Sequence, residues 1–425
     1  MGVRSIRAAR RPLDAVVDAV PSKSVTHRAL VAAALASGPT ELHGALDADD
    51  TRASLEGLAA LGVGVARQAD RWIVHGCGGR VRGGGSVALG ESGTSLRFLL
   101  ALAALGAAPS RLDGAGRLRQ RPLRELADAL VGLGGEVRLD PSSGGLPALA
   151  GGRPPRGGLV RLDGSRSSQF ASALLLIGAR LPSGLDLSLA PPVVSLPYVQ
   201  LTADVLGDFG VRIEPQAELR WRVPAQDFPG RSYSVEGDHS SASYFLAAAC
   251  LAGGRVRVRG IDPQSRQPDA RIGDVLEQLG CEIRRGADWI EVRGSGRVPP
   301  FDLDSGDAPD LVPTLAALGL FADGPCAIRR VAHLRHKESD RLERLAANLR
   351  QLGRPATAES DRLVIGPAPP RLVPARVVTE SDHRIAMAFA IAGLRLDGVS
   401  VDDPACVSKS NPRFWSQFET LEAPR

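Results

Sequence analysis

Only three of the 52 basic residues in this chain are lysines, and each sits between or beside polar neighbours that include serine: Ser22-Lys23-Ser24, Lys337-Glu338-Ser339 and Ser408-Lys409-Ser410. An ammonium is compact, carries three donors and has an adjustable pKa, whereas a guanidinium is a wide fork that stays charged. A chain this biased toward arginine keeps lysine where arginine cannot substitute, which marks Lys23, Lys337 and Lys409 as candidates for contact with a reacting ligand. In PSKSVTHRAL (21–30), Lys23, Ser24, His27 and Arg28 stand at the mouth of an Ala/Leu run. Cations are disfavoured at a helix start by the macrodipole. They belong there if an anion binds at the same place.

The same arrangement recurs before five more apolar runs: GESGTSLR (90–97), GSRSSQF (164–170), GDHSSASY (237–244), GDAPDL (306–311) and TESDHR (379–384). Ser and Asp are good N-caps, and capping accounts for one polar residue per helix. It leaves Lys23, Arg28, Arg97, Arg166 and Arg384 unexplained, because each opposes the dipole. A ligand with several negative charges explains them together. Asp310 alone reads equally as an N-cap of LVPTLAAL or as a catalytic carboxylate. Asp49 and Asp50 read as a cap or as support for the Lys23 region. His333 and His336 have no third ligand nearby, which speaks against a metal site.

Those polar segments must be held by the runs that follow them: HRALVAAALAS, LRFLLALAAL, QFASALLLIG, SYFLAAACLA, LVPTLAALGLF and RIAMAFAIAGL. Each is apolar nearly all round, which predicts a central, buried helix. A second signature, an amphipathic helix stopped by glycine and followed by a strand, places Gly62, Gly134, Gly210, Gly280 and Gly353 at steps of 70 to 76 residues. WSQFETL is the sixth copy of that second helix. Six units in one layer would make an awkward core, so two globes of three units each are expected, parting near 233–238. If the helices of each globe run parallel, their positive ends meet in a cleft between the globes.

Composition agrees with an enzyme that collects small polyanions. At 425 residues the chain exceeds one typical core, and a net charge of +5 suits anionic metabolites or nucleic acid. Aromatic content of 4% and basic residues gathered at helix starts argue against nucleic-acid binding, which needs stacking platforms along basic stripes. No apolar run reaches membrane-spanning length. The Arg-rich start reaches Asp14 quickly, without an apolar segment, and reads as a first strand and not a targeting peptide. Five scattered cysteines without a CxxC read as buried, reduced thiols in a cytoplasmic protein.

Taken with LDADDTRASLEGLAALG, RQRPLRELADAL, SLPYVQLT, LRHKESDRL and DPACVSKSNPRFW, these motifs resemble, end to end and in order, the 5-enolpyruvylshikimate-3-phosphate synthase family. The resemblance implies an α/β (α+β) fold: two globular domains, each of three βαβαββ repeats with parallel buried helices, and the active site in the interdomain cleft. The implied domains are 21–237, the N-terminal globe, and 1–20 plus 238–425, the C-terminal globe. The implied reaction moves the enolpyruvyl group of phosphoenolpyruvate to the 5-hydroxyl of shikimate 3-phosphate by addition and elimination, releasing phosphate. Its partners are these two small molecules, with no nucleic acid, no membrane, no metal and no organic cofactor, in a monomer.

The resemblance also assigns roles. Lys23, Asp310 and Glu338 would be catalytic, the two carboxylates moving protons. Lys23, Ser24, Arg28, Ser167, Ser168, Gln169, Ser195, Asp310, His333 and Lys337 would hold shikimate 3-phosphate. Lys23, Gly93, Arg121, Gln169, Arg341, Arg384 and Lys409 would hold phosphoenolpyruvate, with Arg341 and Arg384 on its carboxylate. The three retained lysines all fall in this set. Departures are His333 where many members carry Asn, Leu196 where Lys is frequent, and Ser92 and Phe98 around Gly93. The rival within the fold, UDP-N-acetylglucosamine enolpyruvyl transferase, carries a loop cysteine that VRGGGSVALGESGT and GRLRQRPL lack.

Overall fold

The computed structural model describes residues 2–69 and 71–422. Its framework is six helices buried on every side: Lys23–Leu35, Gly93–Ala104, Ser168–Gly178, His239–Ala252, Val312–Gly319 and His383–Gly393. Alanine, leucine and isoleucine dominate them, so no face needs water and small side chains let neighbours approach closely. The first three pack on one another in one hydrophobic core and the last three in a second. The chain divides accordingly into two compact units, Pro21–Val235, and Met1–Val20 with Glu236–Arg425.

A single pattern repeats. In its plainest copy, strand Ser86–Ala88 leads into the Gly93–Ala104 helix, which returns to strand Ser110–Asp113 lying parallel to the first. A second helix, Arg124–Gly132, buries one face only, and an antiparallel hairpin, Val137–Leu139 with Ala148–Ala150, completes a four-stranded sheet. Sheets built from Gly158–Asp163 and from Asp302–Asp304 follow the same order. Strand alternation points Leu185, Leu187 and Leu189 at the helices, with less buried residues between them. The glycines that stop the second helices (62, 134, 210, 280 and 353) all have φ between 84° and 92°, the left-handed conformation that ends a helix at low steric cost.

Two copies borrow a strand. Strand Leu13–Asp18 precedes the Lys23 helix in sequence but pairs parallel with Gly254–Arg259 of the other unit's chain. The position it would have filled is taken by Ser232–Ser234, parallel to Pro39–His43. The chain therefore changes unit twice, at Val20/Pro21 and at Val235/Glu236. The second change falls between a paired strand and Asp238, which already caps the next core helix. The last copy lacks its own hairpin: Arg376–Val377 and Ser400–Val401 are joined by Arg4–Ser5 from the N-terminus. Helix Phe414–Glu422 then buries Phe418 and Leu421 along one stripe.

The opposite ends of three core helices are closed by arginines. Arg180 donates from Nε to the carbonyl of Leu35 at 2.8 Å while its guanidinium lies 4.4 Å above Phe228. Arg354, 1% exposed, donates to the carbonyls of Ala322 (3.0 Å) and Gly324 (2.6 Å), just past the Val312–Gly319 helix. Arg395 reaches Gly296 at 2.6 Å and Leu251, in the last turn of the His239 helix, at 3.5 Å. A cation is stabilising at a helix C-terminus, where carbonyls lack intrahelical donors. The arginine bias thus has a structural part besides any role in ligand binding.

All five cysteines are free thiols; Cys250, Cys281 and Cys326 are buried, but Cys77 and Cys406 are only half-buried. The expectation of five buried thiols fails for these two because they only pack against the edge of a core, from a loop and from the turn Pro404–Lys409, whereas the other three are part of one. Among the described residues, no helix is long and apolar enough to cross a membrane.

Candidate active site

The starts of the core helices carry Lys23, Ser24, Arg28, Gly93, Ser167, Ser168, Gln169, Asp310 and Arg384. Arg121, Ser195, His333, Lys337, Glu338, Arg341 and Lys409 lie on other elements. The caps of the core helices differ between the units. In the Pro21–Val235 unit the three N-caps are Ser22, Ser92 and Ser167, each accepting a backbone N–H. In the other unit Asp238 and Asp382 cap the first and third core helices. A neutral serine leaves the positive end of the helix dipole available to an external anion, whereas an aspartate supplies the anion itself.

Lys23 is 8% exposed, and its Nζ lies 2.8 Å from Asp50 Oδ2. Asp50 is held in turn: its backbone carbonyl accepts from Ser95 Oγ at 2.9 Å, and Ser95 Oγ is 2.8 Å from Ser54 Oγ and 2.7 Å from Ser92 Oγ. His27 Nδ1 joins at Ser54 Oγ, 2.8 Å away. Burial holds the His27 pKa down near 3, so the ring is neutral in this network. Arg28 is almost wholly buried and donates to the Ser24 carbonyl (2.8 Å), Thr202 Oγ1 (2.8 Å), the Tyr198 carbonyl (2.9 Å) and Ser172 Oγ (3.4 Å). Burial lowers its pKa to about 10, which still leaves it charged at neutral pH.

Around the second core helix, Arg97 folds back onto the Gly93 carbonyl (3.0 Å) and reaches the Pro122 carbonyl at 2.7 Å. It braces the segment bearing Arg121. A Cβ at Gly93 would collide with the guanidinium of Arg121 and come within 2.7 Å of Arg97 Nη1, so those side-chain ends would have to shift. At the third helix, Gln169 donates from Nε2 to Thr94 Oγ1 at 3.0 Å, tying this helix start to the previous one. Ser195 has φ 54° and ψ 38°, a left-handed conformation uncommon outside glycine, and its side chain does not cap the helix it precedes. Such a cost is tolerated where a side chain must face a particular way. Arg166 is different: it is exposed and pairs with Glu125 at 3.1 Å. Of the five cations that oppose the dipole, Arg97 and Arg166 thus serve local structure.

In the other unit, two arginines and three carboxylates form one cluster. Arg341, 1% exposed, donates to Asp382 from Nε (2.9 Å) and Nη2 (3.2 Å), to Glu338 Oε2 at 2.6 Å and to Asp310 Oδ1 at 3.2 Å. Burial alone would lower the Arg341 pKa, but Asp382, Glu338 and Asp310 outweigh it and raise the pKa. Arg384 Nη2 meets Asp310 Oδ2 at 2.7 Å, and its Nη1 lies 3.5 Å from the Tyr244 hydroxyl. Asp382 also accepts the Arg384 backbone N–H at 3.0 Å and the Ser339 hydroxyl at 3.1 Å, so one side chain fixes both arginines. His333 is 5% exposed, neither ring nitrogen has a hydrogen-bond partner, and burial lowers its pKa to about 3. Lys337 is half-buried, and Lys409 is buried in the turn Pro404–Lys409. Leu196 packs against the hydrophobic core. Among the described residues no group of three or more His, Cys, Asp or Glu side chains could hold a metal ion.

The family model described as EPSP synthase (3-phosphoshikimate 1-carboxyvinyltransferase) matches residues 8–418. The chain belongs to the EPSP synthase family. A 3-phosphoshikimate 1-carboxyvinyltransferase from Methanoculleus marisnigri is 43% identical over 407 residues, covering 95% of this chain and 96% of the relative. One from Syntrophobacter fumaroxidans is 42% identical over 412 residues, with 95% and 96% covered. The solved structure of EPSP synthase from Acinetobacter baumannii superimposes with a TM-score of 0.81 over 99% of this chain and 98% of that one, at 24% identity, a likeness of fold.

Within this EPSP synthase chain, the sequence did not single out Asp382, Tyr244, Ser54, Ser95, Thr94 and Thr202. Asp382 sits inside the quoted TESDHR and reads there as an ordinary N-cap. The others contact residues that the sequence did single out across 27 to 174 positions, distances over which no local pattern operates.

Proposed function

We propose that the chain transfers the carboxyvinyl group of phosphoenolpyruvate to the 5-hydroxyl of shikimate 3-phosphate and releases inorganic phosphate, a step of the shikimate pathway. The observation that carries this is the family match over residues 8–418. The reaction is an addition followed by an elimination. The acceptor hydroxyl loses its proton and attacks C2 of phosphoenolpyruvate while a proton is delivered to C3. A proton then leaves the new methyl group as the C–O bond to phosphate breaks.

The proposed roles follow the family resemblance residue by residue. Ser167, Ser168 and Ser195, each at the start of a helix, receive the 3-phosphate of shikimate 3-phosphate, with Ser24 and Arg28 on its carboxylate. Arg28 donates one hydrogen bond from Nε, one from Nη1 and two from Nη2 within its own unit, so its second Nη1–H is the one proposed to meet that carboxylate. Gly93 and Arg121 take the phosphate side of phosphoenolpyruvate, and Gln169 lies between the substrates. Lys23, held by Asp50, bears on the bridging oxygens where charge changes during transfer. Arg341 and Arg384 face the phosphoenolpyruvate carboxylate and Lys409 the departing phosphate. Asp310 and Glu338 carry the protons, while His333 and Lys337 bear on the ring hydroxyls. A neutral His333 can either donate or accept, as a hydroxyl partner requires. We place the reaction in a cytoplasmic monomer that needs no nucleic acid.

Phosphate release from phosphoenolpyruvate tests this, with shikimate 3-phosphate and UDP-N-acetylglucosamine as alternative acceptors. Release with the first alone is the expected result. Release with the second alone would reject the acceptor. Lys23→Met and Glu338→Ala should each fold and lose most turnover; full activity in either removes that residue from the mechanism.

A further inference from the structure

Asp310 has the position of a ligand. Its two oxygens are shared between two guanidinium groups, Oδ1 at 3.2 Å from Arg341 Nη1 and Oδ2 at 2.7 Å from Arg384 Nη2. A small-molecule carboxylate clamped by the same pair would use its two oxygens in the same way. Arg341 has little else to offer, since Asp382 and Glu338 engage its Nε and Nη2 groups. A further carboxylate approaching Arg341 and Arg384 therefore meets a seat that the Asp310 carboxylate already occupies.

Resting on the roles assigned above, we propose that Asp310 occupies the phosphoenolpyruvate carboxylate seat in the free enzyme. Shikimate 3-phosphate vacates the seat by drawing that carboxylate to its ring hydroxyl. One side chain then serves both substrates in turn. Paired to Arg341 and Arg384 it excludes phosphoenolpyruvate; hydrogen-bonded to the acceptor hydroxyl it is placed to take that hydroxyl's proton. The fold allows the exchange because Asp310 lies on the short turn Pro309–Leu311 ahead of the core helix and keeps 17% of its side chain exposed, while Asp382, the other carboxylate on Arg341, is locked as an N-cap with none. The two substrates are thereby coupled, each tightening the other by the same factor.

Calorimetric titration of the full-length protein with phosphoenolpyruvate, alone and with saturating shikimate 3-phosphate, tests the proposal. The wild type should bind phosphoenolpyruvate more tightly when shikimate 3-phosphate is present, by a factor within about 5–150. Asp310→Asn should bind phosphoenolpyruvate alone more tightly than the wild type by a comparable factor and lose most of the enhancement, while turnover falls. Asp310→Ala, which empties the seat outright, repeats the measurement, and binding of shikimate 3-phosphate to each variant certifies its fold. A folded variant that binds phosphoenolpyruvate alone no better than the wild type, or that keeps the whole enhancement, overturns the proposal, as does a wild type without coupling. Phosphate release by the wild type is scored separately: its absence rejects the proposed reaction, whereas an active wild type with unshifted variants rejects only the role of Asp310.

Discussion

Replacing Asp382 tests how the arginine cluster is held. Its carboxylate, with no exposed surface, accepts four hydrogen bonds: two from Arg341, one from the Ser339 hydroxyl and one from the Arg384 backbone N–H. Asp382→Asn keeps a good N-cap but removes the charge and one of the oxygens that face Arg341. Asp382→Ala removes the cap as well. Taking one partner from a buried ion pair costs about 3–5 kcal/mol, because a buried charge is left with unsatisfied donors. Glu338 and Asp310 remain on Arg341, so the lower end, about 3 kcal/mol, is expected for Asn. Loss of the cap adds about 1 kcal/mol for Ala. For a unit of this size each kcal/mol moves the melting temperature by about 2–4 °C, so Asn should melt about 6–12 °C lower and Ala a few degrees lower still. Thermal unfolding followed by circular dichroism gives the shifts. An Asn variant that melts within about 1 °C of the wild type would show that Arg341 does not depend on this carboxylate, and equal shifts for Asn and Ala would remove the cap from the account.

Gly93→Ala should raise the KM for phosphoenolpyruvate well above the wild-type value and leave the affinity for shikimate 3-phosphate nearly unchanged, because the added Cβ displaces Arg121; steady-state kinetics with each substrate varied will decide. Arg354→Met keeps the stem and loses both bonds to the Ala322 and Gly324 carbonyls; a stability loss of about 2–3 kcal/mol in urea unfolding with unchanged KM values is expected. His27 and His333 have folded pKa values near 3 against an ordinary 6.5, so below pH 6.5 the unfolded chain takes up protons that the folded chain refuses. Stability should therefore fall as pH drops from 6.5 toward 3, by about 1.4 kcal/mol per pH unit for each histidine. His333→Asn should remove about half of the part of that slope contributed by these two, measured by unfolding at pH 6.5 and 5.5.

The six core helices and the glycine stops were legible because each is specified locally. An all-apolar run of eleven residues can only be buried, and a glycine after an amphipathic stretch ends it whatever lies nearby. The ends were less so: the Lys23 and His239 helices begin four residues ahead of their apolar runs, since Ser22 and Asp238 cap a polar first turn that hydropathy does not reveal. Val312–Gly319 is shorter than its run because Pro309–Leu311 winds as a tighter turn. The dipole argument marked Lys23, Arg28, Arg97, Arg166 and Arg384 alike, and charge alone could not show that Arg97 and Arg166 have as partners the Pro122 carbonyl and the Glu125 carboxylate.

Sequence alone thus determined the repeat, the six buried helices and their polar starts, and it singled out three lysines as candidates, since each follows from composition or spacing within a few turns of chain. Tertiary structure decided which strand completes which sheet, that Asp50 holds Lys23, that Asp382 holds Arg341, and that Asp310 sits between two guanidiniums. Those pairings join residues far apart in the chain. Their energies depend on burial and on distances of about 3 Å, which exist only once the helices have packed.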